Sequence, residues 1–369
     1  MSAYRRYVAL SAFVGLFATI VPASNAQTVA TVTRPTPVSA FEGHLVWSTY
    51  EPHRAYVLTT NWNGKPNTTG QVFEWSVGQR SVPFDADVGP GPSGAPIVVY
   101  SRCRREPVGR PAFVRNALTV LPDWQTGRGC DLYRYDVSSG KEKRIAGASS
   151  RHAAEFLPSV WKNKLVFARV YEERKGLAGK RAYLYERPLE GKGRTRRLPA
   201  GVRSTGRFCT GKPVRCRPVL EPGPTSLDLA GSRLAFGWDS ADELGPTSSA
   251  YLDTIGARTT RRRLLTVASG DIQGLEVIEP GVSGGYAWSA LTWFGDRTAN
   301  ELRRFGLEGG AAGTVTFASG ATFGSVLGAA VDGSRLFYLR AGIETQPGCS
   351  PASPCELLAE LLPAFTTPR

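Results

Sequence analysis

A short pattern recurs six times along the 369-residue chain and limits its fold more than any other feature. Each copy has a turn residue, often Gly, followed by strand-forming residues that end in an aromatic side chain. The six aromatic residues are Trp47, Tyr100, Phe167, Phe236, Trp288 and Tyr338. Their spacings of 53, 67, 69, 52 and 50 residues exceed the periods of helical solenoids and fit propeller blades that carry loops.

Two further strand-like elements follow the aromatic strand in most units. The last of them is basic in segments 141–145, 194–198 and 261–265, and neutral in segment 314–317. Several strands per unit, six units and no long helical periodicity predict an all-β, six-bladed β-propeller, with a seven-bladed propeller or an open arrangement as alternatives. We expect the basic elements to be the outermost strands, and residues 28–33 to close the ring beside strands between 357 and 367.

Two segments carry a resemblance to a known family of repeats. Residues 332–338, Asp-Gly-Ser-Arg-Leu-Phe-Tyr, and the hairpin-like segment 131–140 resemble TolB-like β-propeller repeats. Other units depart from the motif, because Gly231 follows Ala230 and Gly284 follows Ser283, where the motif has Asp. The resemblance covers residues 38–369. It implies a six-bladed ring with a binding role, and it carries over no catalytic residue.

The N-terminus has the layout of a secretory signal. Arg5 and Arg6 precede an apolar run over residues 7–21, and small residues at 24–26 suggest cleavage after Ala26. Residues 1–26 are therefore predicted to be a signal peptide and residues 27–369 a single propeller domain, secreted, periplasmic or extracellular. The apolar run is shorter than the roughly 20 residues that span a bilayer, so we expect no stable membrane insertion. An uncleaved N-terminal anchor is the alternative.

The six cysteines form three close pairs in the sequence. An even count in an exported chain favours disulfides over metal ligands, since metal binding would need Cys-x-x-Cys pairs or nearby histidines. The repeat predicts sequential pairing, because neighbouring antiparallel strands bring the ends of a loop together. The predicted pairs are Cys103 with Cys130, Cys209 with Cys216, and Cys349 with Cys355.

The densest acidic loop is one candidate binding site. Asp239, Asp242 and Glu243 come directly after Trp238. Several carboxylates beside a loop can bind calcium, but the spacing matches no calcium-loop signature, so solvated loop charge is the alternative. The sequence thus predicts no cofactor and no metal, with a structural Ca²⁺ as a minor alternative. Asp85 and Asp87 receive still less weight.

Histidines and one serine motif offer candidate catalytic groups. His44 and His53 lie near Glu51 and could supply acid–base chemistry or bind a ligand, although a structural role is favoured. Residues 281–285 match G-x-S-x-G, but a nucleophile elbow needs a strand-to-helix turn and a later histidine. No histidine follows His152. We therefore predict a tight turn before a strand and assign no catalytic residue.

These features favour a monomeric binding or interaction module of the cell exterior, with an unknown protein or polysaccharide ligand. One alternative is a secreted polysaccharide hydrolase or lyase, which would gather carboxylates and histidines in a concave pocket. Another is a polyanion-binding envelope protein, because the formal net charge is +14. Specific nucleic-acid binding is not expected, since the aromatics belong to the repeat cores rather than to a basic face.

Overall fold

The computed structural model describes most of the predicted propeller. The described residues are 26–51, 55–61, 72–74, 80–105, 128–150, 152–171, 182–199, 207–210, 215–218, 223–242, 245–256, 261–268, 275–293, 299–308, 311–317, 326–341 and 349–362. Within these ranges the secondary structure is β-strand, with no helix. The predicted signal peptide lies outside the described residues apart from Ala26.

The strands form six four-stranded antiparallel sheets, which are the blades of a propeller. Blade 1 contains β2 (Ser39–Phe41), β3 (His44–Glu51), β4 (Ala55–Asn61) and β5 (Val72–Glu74). Blade 2 contains β6 (Asp87–Pro90), β7 (Pro96–Arg105), β8 (Arg128–Asp136) and β9 (Lys141–Arg144). Blade 3 contains β10 (Ala153–Trp161), β11 (Lys164–Tyr171), β12 (Ala182–Pro188) and β13 (Arg196–Arg197).

A separate hairpin precedes the remaining three blades. It contains β14 (Arg207–Thr210) and β15 (Arg215–Pro218). Blade 4 contains β16 (Gly223–Ala230), β17 (Arg233–Asp242), β18 (Gly245–Thr254) and β19 (Arg262–Ala268). Blade 5 contains β20 (Leu275–Ser283), β21 (Tyr286–Trp293), β22 (Ala299–Gly306) and β23 (Ala311–Phe317). Blade 6 contains β24 (Val326–Asp332), β25 (Arg335–Arg340), β26 (Cys355–Leu361) and β1 (Gln27–Val32).

The N-terminal strand closes the ring. In blade 6 the strand order is β1-β26-β25-β24, so the first strand of the chain is the outer neighbour of the last. The pairing is antiparallel and runs from Gln27 opposite Ala359 to Val32 opposite Cys355. Six blades, and closure by the N-terminal segment, are confirmed.

The repeated aromatic residue marks the second strand of each blade. All six aromatics lie in β3, β7, β11, β17, β21 and β25, and all are buried, as the repeat predicts. In two of the apolar core clusters the aromatic side chain packs against the preceding blade. Trp47 clusters with Phe337 of blade 6, and Tyr100 clusters with Val46 of blade 1. A large apolar side chain at this position thus binds one blade to the next.

The basic elements form the outer rim, as predicted. They correspond to β9, β13 and β19, and the neutral version corresponds to β23, each at the outer edge of its sheet. Residues 141–144 of β9 are all exposed. Charged side chains on such edges discourage pairing with another chain.

The ring has two unlike ends. Short turns join the first and second strands at one end, here called the turn face, where the Gly43 amide of blade 1 donates to Asp332 of blade 6. The connections between second and third strands, and those between blades, attach at the opposite end, here called the connection face. No helix among the described residues is long and apolar enough to cross a membrane.

Two of the three predicted disulfides are present, and both lie at the connection face. Cys103 bonds Cys130 across the β7–β8 connection of blade 2, and Cys349 bonds Cys355 in the equivalent connection of blade 6. In the β14–β15 hairpin the backbone register places Cys209 directly opposite Cys216. The third pairing therefore stays a prediction with which the backbone register agrees.

Candidate functional site

The innermost strands of all six blades surround a central cavity of about 80 Å³. It is lined by residues 37–40, 85–87, 157–158, 225–228, 280–281 and 329–331, with Trp288, Ala290 and Leu302. One water molecule occupies about 30 Å³ in the liquid, whereas pockets for drug-sized ligands measure about 300–1,000 Å³. The cavity therefore has room for a few water molecules and is small for a sugar polymer.

Bulges in the innermost strands shape this cavity. The pairing of first with second strands shifts once in each of blades 3, 4, 5 and 6. A bulge bends its strand and re-aims the side chains, and bulges are common beside binding sites. Pro158 and Pro280 fall within two of these bulges. Because an innermost strand has no partner on the channel side, a proline there interrupts no ladder hydrogen bond on that side.

Asp87 connects three blades. Ser39 of blade 1 donates from Oγ to Asp87 Oδ1 at 2.8 Å. From blade 3, Ser159 Oγ and the Val160 amide donate to Oδ2 at 2.8 and 3.0 Å. Both carboxylate oxygens are therefore occupied by groups from neighbouring blades.

Asp228 connects blade 4 to blade 5. The Val282 amide donates to its Oδ2 at 2.5 Å. This contact depends on Gly281, since a Cβ at that position would lie 2.8 Å from the same oxygen. Only glycine therefore lets the β20 backbone approach the carboxylate this closely.

Similar contacts cross the other junctions, so that one Ser or Asp from each blade forms a closed circuit, here called the inter-blade ring. Its members are Ser39, Asp87, Ser159, Asp228, Ser283 and Asp332. Blades 3 and 4 are joined by the Leu229 amide, which donates to Ser159 Oγ at 2.8 Å. Blades 5 and 6 are joined by the Gly333 amide, which donates to Ser283 Oγ at 3.0 Å, and Asp332 accepts from Gly43 of blade 1 at 2.6 Å.

A third acid of the cavity, Asp85, is neutralised by a neighbour. It forms a buried ion pair with Arg80, with 3.2 Å between Nη1 and Oδ1. It also accepts from the Ser101 amide and, across the blade junction, from the Leu157 amide at 2.6 Å. Asp85 therefore has the contacts of a structural carboxylate.

The cavity disfavours negative charge on Asp87 and Asp228. Burial, followed by the charge of Asp228, raises the pKa of Asp87 to about 7 despite its hydrogen bonds to Ser39, Ser159 and Val160. Burial raises the pKa of Asp228 to about 6, against the opposing hydrogen bonds from Val282 and Leu229. Such groups can exchange protons near neutral pH.

The predicted acidic loop lies away from this cavity. Trp238 is buried in β17, and Asp239 beside it has its pKa raised to about 6 by burial, opposed by a hydrogen bond from Ser248. Asp242 ends the same strand, and Glu243 lies outside the described residues. Across the part of the chain that the structure describes, no three His, Cys, Asp or Glu side chains are grouped to hold a metal ion.

The predicted histidine site is only partly described. His44 begins β3 in blade 1, three blades away from Asp239, and does not line the cavity. Burial lowers its pKa, and the charge of Asp332 opposes this. His53 lies outside the described residues, so the suggested acid–base or ligand-binding role of these two histidines stays a prediction.

Ser283 of the G-x-S-x-G segment occupies a β-hairpin. It ends β20 and is followed by the two-residue turn Gly284-Gly285 into β21. A nucleophile elbow instead turns from a strand into a helix. The predicted tight turn before a strand is confirmed, and the serine hydroxyl has the structural role described for the inter-blade ring.

Sequence reasoning missed the innermost strands and with them Asp228, and it gave Asp87 little weight. These strands lack the repeated aromatic that made the second strands visible. A weaker signal exists: Ser39, Ser159 and Asp228 each precede the aromatic residue of the next strand by eight positions. A small polar residue at this offset could have indicated the inter-blade ring.

Comparison with known proteins assigns the chain to no family. No family model matches the chain, and no curated protein matches it. Solved structures that resemble it include TolB from Acinetobacter baumannii, at 15% identity and a TM-score of 0.43, covering 87% of this chain and 65% of that one. The propeller domain of the Trilobed protease from Pyrococcus furiosus is 12% identical, with a TM-score of 0.42, and covers 91% of this chain and 100% of that one.

A sialidase from Trypanosoma rangeli is 10% identical, with a TM-score of 0.47, and covers 90% of this chain but 55% of its own. The chain thus spans about two thirds of the TolB chain and about half of the sialidase chain. The six-bladed ring that the resemblance to TolB-like propellers implies is present in the structure. These likenesses assign neither activity nor ligand.

Proposed function

We propose that the protein is an exported binding module of the cell exterior that contacts a protein or polysaccharide through its connection face. The signal-like N-terminus and the two disulfides support export, because disulfides persist in oxidising compartments. A rigid ring that carries variable connections on one end is a common arrangement for binding.

The observation that carries this proposal is that the carboxylates of the cavity accept hydrogen bonds from the protein itself. Asp85 and Asp87 accept hydrogen bonds at both oxygens, and Asp228 accepts the Val282 amide. A catalytic acid or base must instead reach a substrate atom within hydrogen-bond distance. In a cavity of about 80 Å³, carboxylates engaged with neighbouring blades support structural use rather than hydrolysis or elimination.

The connection face is the more suitable contact surface because the longest segments attach there. Residues 106–127 separate β7 from β8, and residues 198–222 separate blade 3 from blade 4 apart from the β14–β15 hairpin. By contrast, two-residue turns join the first and second strands in five blades. The long segments that make one blade of this chain different from another are therefore concentrated at one end of the ring.

Charge favours polyanion binding as a second candidate. Segments 104–128, 172–181 and 199–222, which belong to the connection face of blades 2 to 4, contain 14 Lys and Arg against five Asp and Glu. On the outer rim, Arg144 is paired with Asp131 and Arg196 with Glu186. By sequence, these segments carry an excess of nine positive charges (14 − 5), which would attract an anionic ligand.

Binding measurements on the mature chain test the proposal. The probes are peptidoglycan, heparin and a neutral β-glucan, together with envelope proteins detected by chemical cross-linking. One variant replaces residues 106–127 with a short Gly-Ser linker and keeps Cys103 and Cys130. We expect saturable binding to at least one probe, weakened at least about tenfold in this variant, with no release of reducing or unsaturated sugar ends.

Two variants that each lose two positive charges, one at each end of the ring, test whether the protein binds polyanions. Arg110→Ser with Arg115→Ser removes two charges from the connection face, and Lys162→Ser with Lys192→Ser removes two from the turn face. Polyanion binding predicts a larger loss of heparin affinity in the first variant and a steep dependence on salt. Release of sugar ends that Asp87→Asn or Asp228→Asn abolishes would contradict the binding proposal in favour of a hydrolase or lyase.

A further inference from the structure

Two acidic members of the inter-blade ring share the central cavity. Asp87 and Asp228 both line it, and the charge of Asp228 contributes to the raised pKa of Asp87. The third acid in the lining, Asp85, is paired with Arg80. The lining residues include no Lys, Arg or His. The Asp87–Asp228 pair therefore has no cation among the residues that line the cavity to compensate two negative charges.

Each of these carboxylates also connects blades. Asp87 accepts from Ser39 of blade 1 and from Ser159 and Val160 of blade 3, while Asp228 accepts from Val282 of blade 5. The groups that face Asp87 from adjacent elements are thus hydroxyls, an amide and one further acid. When both carboxyl groups are ionised, repulsion acts across a small cavity with mostly apolar walls, which screens charge poorly.

We propose that the Asp87–Asp228 pair makes closure of the propeller ring sensitive to pH, so that the blades are held more firmly in mildly acidic than in mildly alkaline conditions. The inference concerns the ring itself and is independent of the ligand-binding role proposed above. In an exported protein, it would couple the firmness of the ring to the acidity of the surroundings.

The direction follows from proton linkage. Burial raises the pKa of Asp87 to about 7 and that of Asp228 to about 6, above the ordinary value of 3.8. A carboxyl group with a raised pKa binds more protons in the closed, folded ring than in an opened or unfolded one. Its contribution is therefore fully present below about pH 4 and is lost as the pH rises towards about 7.

Amide hydrogen exchange provides a local test. The Val160 and Val282 amides donate to Asp87 and Asp228, so their protection factors, corrected for intrinsic exchange, report opening at these two junctions. In the unmodified protein we expect both protection factors to fall at least about tenfold between pH 5 and pH 7.5, since one linked proton changes an equilibrium tenfold per pH unit.

Asp87→Asn is the principal variant, because asparagine keeps the shape and an acceptor oxygen but does not ionise. It should reduce the pH-dependent fall at Val160 to less than about threefold. Asp228→Asn gives a second variant should the first fail to fold. Asp136→Asn is the charge-matched control, since Asp136 ends β8, does not line the cavity, and has its pKa lowered by hydrogen bonds from Ser138 and Ser139.

The control should reproduce the profile of the unmodified protein. His44, at the junction of blades 6 and 1, can contribute a pH dependence of its own. Because the control variant keeps His44, that contribution is present in the control as well. Protection that does not change with pH in the unmodified protein would overturn the proposal. So would an undiminished fall in both asparagine variants.

Discussion

Ser159→Ala should destabilise the protein more than a serine-to-alanine change at an equally buried position. Ser159 is 0% exposed; its Oγ donates to Asp87 and accepts from the Leu229 amide, both at 2.8 Å. Alanine removes a bond to a carboxyl group, worth about 1.5–3 kcal/mol, and takes one acceptor from the Leu229 amide, which still reaches Asp228, at a cost of about 1 kcal/mol. Because one hydroxyl makes both contacts, we expect a combined loss of about 2–4 kcal/mol.

Urea unfolding at pH 7 with the disulfides oxidised measures this loss. The matched control is Ser289→Ala in β21, where the hydroxyl is also 0% exposed but contacts the neighbouring Ala290 carbonyl at 3.4 Å. We expect the control to lose less than about 1 kcal/mol, because a bond of that length contributes little. Equal losses in the two variants would show that the inter-blade ring contributes nothing beyond ordinary burial of a serine.

Three further predictions concern the core, the cysteines and Ser283. Phe236→Ala should lower the free energy of unfolding by about 3–5 kcal/mol in urea titrations, since the side chain is fully buried in the largest core cluster; a loss below 1 kcal/mol would contradict its role between blades. Peptide mapping of unreduced protein should find Cys209 linked to Cys216, and a free thiol at either would disprove that pair. A fluorophosphonate probe should leave Ser283 unlabelled, whereas labelling would reveal a nucleophile that the hairpin does not predict.

The fold was predictable because its main determinant is local. In each blade an aromatic residue ends a short apolar run, and burying that run between blades requires a strand at a fixed place in the repeat. Trp47, Tyr100 and Phe167 illustrate this, since each is almost fully buried in a second strand. The basic outer strands were likewise recognisable, because they face solvent and their composition reflects it.

The cavity was not predictable, because its chemistry depends on residues far apart in the sequence. Asp87 and Ser159 are separated by 72 positions, and Asp228 and Val282 by 54. Asp87 on its own resembles any polar residue near a strand, and the sequence does not reveal which amide it will meet. The acidic loop at 239–243 was predicted from the local density of charge. Burial, which raises the pKa of Asp239 as well as those of Asp87 and Asp228, depends on how the blades pack and is not visible in the sequence.

Two sets of contacts close the ring, one within blade 6 and one between blades 6 and 1, and together they limit how far opening of the cavity can spread. At the rim, β1 pairs with β26, and Val32 lies opposite Cys355, which is also bonded to Cys349. Nearer the axis, Asp332 accepts the Gly43 amide. Neither set of contacts uses Asp87 or Asp228. Loss of their protons therefore weakens the junctions of blades 1 with 2, 2 with 3 and 4 with 5, while blade 6 stays paired with the N-terminal strand. Changes in pH should therefore alter the centre of the ring without releasing the N-terminal strand.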